Sequence, residues 1–165
     1  MTVLSSLTTS KLFPAAFACA LLATANVASA QEFRSGDIVI SNPWSRATPQ
    51  GAKVGAGYLV IENRGTTPDR LLGGSVEDAA RFEIHDVVVE NDVMKMRELK
   101  DIELPPGGSI EAKPGGRHIM FVGLVHPLAA GEKARGALQF EHAGMVEVVF
   151  EVVAMGAPPP GGRAN

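Results

Sequence analysis

The chain has very little cysteine: Cys19 is the only one among 165 residues. It lies in an N-terminal apolar segment that we expect to be removed, so the mature protein would contain none. This excludes a disulfide-stabilised scaffold. It also leaves no thiolate for catalysis or for metal binding.

An excess of positive charge is also absent. Removal of residues 1–30 takes one of the 15 basic residues, Lys11, and none of the 18 acidic ones, so the net charge changes from -3 to -4. A mildly acidic surface argues against nucleic acid, and against an anionic membrane, as the main partner.

Catalytic motifs are lacking as well. The serines at 45, 75 and 109 have no nucleophile-elbow sequence around them, and the glycine pairs stand beside prolines rather than between a strand and a helix. The carboxylates are scattered, and none forms an obvious acid–base pair. We therefore expect no enzymatic activity.

The first thirty residues are typical of a secretory signal. Lys11 provides a weak positive region, an apolar stretch runs from Leu12 to about Ala25, and Ala28-Ser29-Ala30 offers a cleavage site. A retained anchor and a lipid-modified Cys19 are the alternatives, and the sequence before Cys19 suits lipidation poorly. The segment therefore predicts an exported, periplasmic protein without a stable membrane anchor.

The remaining residues predict one all-β domain. About eight short apolar runs alternate with Gly, Pro and Asn, which suggests a β-sandwich or barrel, and 76–81 could form one helical turn. We assign the domain to residues 31–156 and a disordered Pro/Gly tail to 157–165. The predicted strands are 37–40, 57–62, 82–89, 93–99, 110–113, 118–124, 137–141 and 146–154.

Two histidines and two methionines form a spaced set: His85, Met96, His118 and Met120. Imidazole and thioether donors of this softness suit copper, and Cu(I) in particular. Taken singly, such a methionine is usually core filler and such a histidine an ordinary polar residue. The four residues indicate a metal site only if the fold brings them together.

Strand geometry could bring the four together. Alternation places His118 and Met120 on one face of their strand and two apolar residues on the other. A hairpin turning at residues 90–92 would place His85 directly across from Met96, provided that its loop has two or four residues. Met94 shares a face with Met96 and is the reserve ligand.

At these residues the sequence resembles the periplasmic copper chaperones of the PCu(A)C family. The similarity runs from about residue 42 to 153, and its clearest segments are 42–49, 55–63 and 114–120. His85, Met96, His118 and Met120 fall on that family's Cu(I) ligands. The resemblance implies a cupredoxin-like or immunoglobulin-like β-sandwich or barrel. It also implies copper delivery for cytochrome c oxidase assembly, with a Sco-type protein or an oxidase subunit as partner.

Two departures from the family concern additional donors. Asp86 and Val87 follow His85 where many members have a methionine, and the tail after Met155 has neither histidine nor methionine. The Cu(II) site of some members is therefore not expected here. His142 and Met145 flank a turn and form a weaker candidate pair.

Three other functions are considered for this sequence. A copper-buffering or resistance protein could use the same ligands without a dedicated acceptor. A secreted β-sandwich binding module would carry the four residues incidentally. A blue-copper electron carrier is disfavoured, because such a site normally needs a cysteine thiolate.

Overall fold

The computed structural model describes residues 31–90 and 92–160, which form an all-β domain. The predicted signal segment lies outside the described residues. Within them, no helix is long and apolar enough to cross a membrane. The strands are β1 (Glu32–Ser35), β2 (Ile38–Arg46), β3 (Val54–Asn63), β4 (Asp69–Val76), β5 (Arg81–Glu90), β6 (Val93–Leu99), β7 (Ile102–Leu104), β8 (Ser109–Ala112), β9 (His118–Val122), β10 (Lys133–Phe140) and β11 (Met145–Val153).

The strands form one mixed sheet in the order β6-β5-β9-β3-β2-β11-β10-β4-β7, with β1 added to β2 and β8 to β3. All pairs are antiparallel except β2 with β11. The sheet bends around a shared core: Phe121 on β9 and Phe150 on β11 meet edge to face, with ring centroids 5.1 Å apart. Gly74 on β4 lies against the ring of Phe82 on β5, so the two ends of the sheet approach each other.

The all-β class is confirmed, but the described residues contain eleven strands rather than about eight. The strands that were not predicted are β1, β4 and β7. In β4, a Cβ at Gly74 would clash with the backbone carbonyl oxygen of Ala137 on β10, so this glycine permits the two strands to approach closely. The predicted helical turn at 76–81 is a hydrogen-bonded turn between β4 and β5.

Alternation along β9 separates the core from the opposite face of the sheet, as predicted. Ile119 and Phe121 are almost completely buried, whereas His118 and Met120 point to the other face and are half-buried. On β5, Ile84 belongs to the core and His85 to the opposite face. The apolar positions therefore fix the direction in which both histidines point.

The β5–β6 hairpin has a different register from the one predicted. Glu90 pairs with Val93, so a two-residue connection joins the strands, and His85 lies across from Glu98 rather than Met96. Asp92 in the connection has φ +61°, a left-handed conformation that Asp tolerates better than most residues. The turn is centred one residue later than predicted, which moves each pairing by two residues and preserves the faces.

The C-terminal segment was assigned to a disordered tail from residue 157. Residues 157–160 have no regular secondary structure, and Pro159 and Pro160 line a groove beside Trp44. The last five residues, 161–165, lie outside the described part of the chain. Disorder of this tail stays a prediction.

Candidate metal centre

The structure brings the four candidate ligands to one face of three adjacent strands, β6, β5 and β9. His85 and His118 are direct partners across β5 and β9, and their ring centroids are 5.9 Å apart. Met120 lies two residues beyond His118 and pairs with Glu83 on one side and Ala56 on the other. Its strand is thus enclosed between β5 and β3.

Met96 reaches this face from the outermost strand. It pairs with Val87, so it is a diagonal rather than a direct neighbour of His85. Side chains at such diagonal positions are still within reach when they are long, because their Cβ atoms are about 7–8 Å apart or less. The corrected register therefore keeps Met96 in the set, with its strand partner changed.

His85 is held by a carboxylate. Its Nε2 lies 3.0 Å from Oε2 of Glu83, and the two side chains are only 16% and 18% exposed. The other carboxylate oxygen, Oε1, accepts a hydrogen bond from Nε of Arg81 at 2.8 Å. The hydrogen bonds from His85 first, and from Arg81 second, lower the pKa of Glu83. An ionised Glu83 therefore favours a proton on Nε2 of His85.

The second ring nitrogen of His85 is consequently an unused electron-pair donor. Nδ1 is buried, and among the described residues it has no hydrogen-bond partner. A buried imidazole nitrogen without a partner is uncommon, because its desolvation is not compensated. A neutral imidazole that donates from Nε2 presents a lone pair on Nδ1, as metal coordination requires.

His118 shows the opposite arrangement. Its Nδ1 lies 2.8 Å from the backbone carbonyl oxygen of Gly116, which can only accept a hydrogen bond. In the neutral ring this places the proton on Nδ1 and leaves the lone pair on Nε2. Backbone carbonyls and carboxylates are the usual groups that fix the tautomer of a metal-binding histidine.

The methionines on β6 are open to solvent: Met94 is 67% and Met96 64% exposed. Both line an open groove of about 370 Å³ that also contacts Tyr58, Val87 and His118. We call this the methionine groove. Neither methionine is serving as core filler, which removes the ordinary explanation for a methionine in a β domain.

The remaining histidines belong to other parts of the surface. Nε2 of His126 lies 3.3 Å from a carboxylate oxygen of Asp78. Its pKa is raised, first by the contact with the carbonyl of Pro127 and then by Asp78. His142 has its backbone N–H bound to Asp69. In residues 31–90 and 92–160, no three side chains of His, Cys, Asp and Glu are grouped as a metal site, so the candidate centre depends on thioether donors.

Glu83, the Gly116 carbonyl and Tyr58 also belong to this site, and none of them was predicted from the sequence. Glu83 could have been found, because it stands two residues before His85 on a strand and must share its face. The roles of Gly116 and Tyr58 depend on a turn conformation and on contacts between strands. Neither leaves a local signal in the sequence.

Two comparisons with known sequences cover most of the domain. Residues 38–152 match the model of a family described as "Putative lipoprotein LpqE-like". The protein "Putative lipoprotein Lxx21020" of Leifsonia xyli subsp. xyli is 29% identical over 116 residues, which make up 70% of this chain and 69% of that protein.

Solved structures give the same picture of the fold. The copper-bound PCuAC domain from PmoF2 is 30% identical with a TM-score of 0.65, and the match covers 75% of this chain and 98% of that domain. The solution structure of CuI-DR1885 from Deinococcus radiodurans is 23% identical with a TM-score of 0.52, covering 68% of this chain and 75% of that one. The second likeness concerns the fold alone. The predicted cupredoxin-like β fold is thus confirmed.

Proposed function

The chain belongs to the LpqE-like family and is a PCuAC-type domain, and we propose that it is a periplasmic copper chaperone that binds Cu(I) and delivers it for cytochrome c oxidase assembly. The observation that carries the proposal is the shared face of β6, β5 and β9. On that face two histidines meet, each with one ring nitrogen already engaged, and methionines lie beside them.

We propose that His85, Met96, His118 and Met120 bind the ion. His85 would use Nδ1, which has no other partner in the described residues, and His118 would use Nε2. Glu83 and the carbonyl of Gly116 would hold the two rings in these tautomers. Two nitrogens and two thioether sulfurs form a soft, uncharged ligand set, which suits Cu(I) better than calcium, magnesium or structural zinc.

Delivery rather than storage is favoured by the uneven burial of the ligands. His85 is 16% exposed, whereas Met96 is 64% exposed. An acceptor could therefore approach the ion from the methionine groove and add its own donors before the histidines release it. A Sco-type protein or an oxidase subunit is the proposed acceptor. The proposal includes no catalytic step.

Export is supported by the lipoprotein names of the family and of the Leifsonia protein. We propose cleavage after Ala30 rather than lipidation of Cys19, because Ala28-Ser29-Ala30 fits the small-x-small pattern of a signal cleavage site. The mature protein would then be free to diffuse between copper donor and acceptor.

Anaerobic Cu(I) titration in competition with a chromophoric chelator tests the ligand set. We expect one ion per chain, and weaker binding when Met120 is replaced by leucine, which keeps the volume and removes the thioether. Met155→Leu is the control, because Met155 is exposed and lies outside the methionine groove. Equal affinities of the Met120→Leu variant and the wild type would remove Met120 from the site.

A deletion strain tests delivery. It should lose oxidase activity when copper is scarce and regain it when copper is added. Normal oxidase activity in copper-depleted medium, together with sensitivity to excess copper, would favour the buffering function. Absence of Cu(I) binding by the purified protein would favour a binding module without metal.

A further inference from the structure

Met94 is an exposed thioether that the proposed ligand set does not use. It pairs with Val89 on β5, two residues nearer to the hairpin turn than the pair formed by Met96 and Val87. Residues two apart on a strand share a face, so Met94 and Met96 point the same way. Met94, Met96 and His118 line one groove.

The donors on this face are therefore ordered. The paired histidines are innermost, Met96 lies two residues further along the hairpin toward its turn, and Met94 two residues beyond that. The Cα atoms of Met94 and Met96 are separated by about 6.6 Å, since a strand rises about 3.3 Å per residue. Each side chain has three flexible torsions, and both are mostly exposed. Their sulfur atoms can move without disturbing the core.

We propose that Met94 is an exchange ligand, which binds Cu(I) during entry and exit but not in the resting complex. This inference rests on the proposed function. During release, a Cu–S bond to Met94 forms as a bond to an inner ligand breaks. The ion stays Cu(I) throughout, because each ligand brings and removes its own electron pair. A thioether carries no proton, so none is moved.

This role makes a specific kinetic prediction. A group that binds the ion only in transit changes the uptake and release rates by the same factor and leaves the equilibrium affinity unchanged. The Met94→Leu variant should bind Cu(I) with an affinity within about twofold of the wild type, while both rates fall about tenfold. Replacement of a resting ligand such as Met96 by leucine should instead lower the affinity of the protein for Cu(I).

The experiment compares Met94→Leu, Met96→Leu and the control Met155→Leu, whose methionine is as exposed as the other two but lies outside the groove. Equilibrium competition with bicinchoninic acid gives the affinity, and anaerobic stopped-flow transfer to and from the same chelator gives the rates. Far-UV circular dichroism checks the fold, which an exposed, volume-conserving substitution should not change. We expect slower transfer only in Met94→Leu and weaker binding only in Met96→Leu.

Two results would overturn the role of Met94 while leaving the proposed function intact. The first is unchanged transfer rates in Met94→Leu. The second is a loss of affinity in Met94→Leu equal to that in Met96→Leu, which would make Met94 a resting ligand. If the wild type itself fails to bind Cu(I), the proposed function is wrong and the role of Met94 falls with it. The wild-type titration therefore separates the two failures.

Discussion

The contact between Glu83 and His85 gives the sharpest test of the proposed centre. Oε2 of Glu83 lies 3.0 Å from Nε2 of His85, and both side chains are largely shielded from solvent. If His85 binds copper through Nδ1, this hydrogen bond keeps the proton on the other nitrogen and makes the ligand more basic. Loss of such an outer partner typically weakens metal binding about 10- to 100-fold.

Two substitutions of Glu83 separate the contribution of the hydrogen-bond acceptor from that of the negative charge. Glu83→Ala removes the acceptor, and we expect Cu(I) affinity to fall within that range. Glu83→Gln keeps an acceptor oxygen but removes the charge. Because a charge-assisted hydrogen bond is about twice as strong as a neutral one, the loss should be smaller, about 3- to 10-fold. Competition titration against a Cu(I) chelator measures both.

Glu98 provides the matched control. It lies directly across from His85 on β6, on the same face, but it is exposed. Glu98→Gln removes the same charge from the neighbouring strand, and we expect an affinity within about twofold of the wild type, because exposed charges interact weakly. Wild-type affinity in Glu83→Ala, or an equal loss in Glu98→Gln, would refute the positioning role of Glu83.

Three further predictions concern processing and the fold. Exported protein should begin at Gln31 by mass spectrometry; a first residue of Met1 or a lipid-modified Cys19 would contradict this. Gly57→Ala should lower the free energy of unfolding by about 1–3 kcal/mol in urea titration, because its Cβ would lie 2.5 Å from the ring of Phe121; unchanged stability would show that the ring moves freely. Burial raises the pKa of Asp69, but backbone N–H groups of His142, Arg70 and Ala143 outweigh this and lower it overall. Ionised Asp69 therefore stabilises the folded state fully above its ordinary pKa of about 3.9, and this contribution is lost as the pH falls through the lower pKa of the folded state. Urea titrations at several pH values should show this loss in the wild type and not in Asp69→Asn.

Much of the fold could be predicted because burial leaves a strong periodic signal. The bounds of β6 were predicted without error, and the inward positions of Ile119 and Phe121 followed from alternation. The strand β4 was missed because its stability depends on a close approach to β10 that only glycine allows. Such a contact joins residues far apart in the sequence and leaves no periodic pattern.

The sequence predicts which face of the sheet each candidate ligand occupies, but not which residue lies opposite it. Parity alone places His85 and Met96 on one side of the hairpin, for any two- or four-residue loop. Which residues lie opposite each other across β5 and β6 depends on where the turn is centred, and the turn could be centred at either of two adjacent polar positions. Asp92 adopts the left-handed conformation, and this local choice shifted Met96 from a direct to a diagonal neighbour of His85.

The position of Met96 on the outermost strand gives the two sides of the site unequal local stability. His118 is on β9, which has neighbours on both sides, whereas β6 pairs with β5 alone in the described chain and is exposed from Val93 to Glu98. An edge strand with few buried contacts opens at a small fraction of the free energy needed to unfold the core. Fraying of β6 would therefore detach one side of the site while both histidines remained in place. The energetic cost of opening the site is set by one marginal strand and can be changed by substitutions on its outer surface.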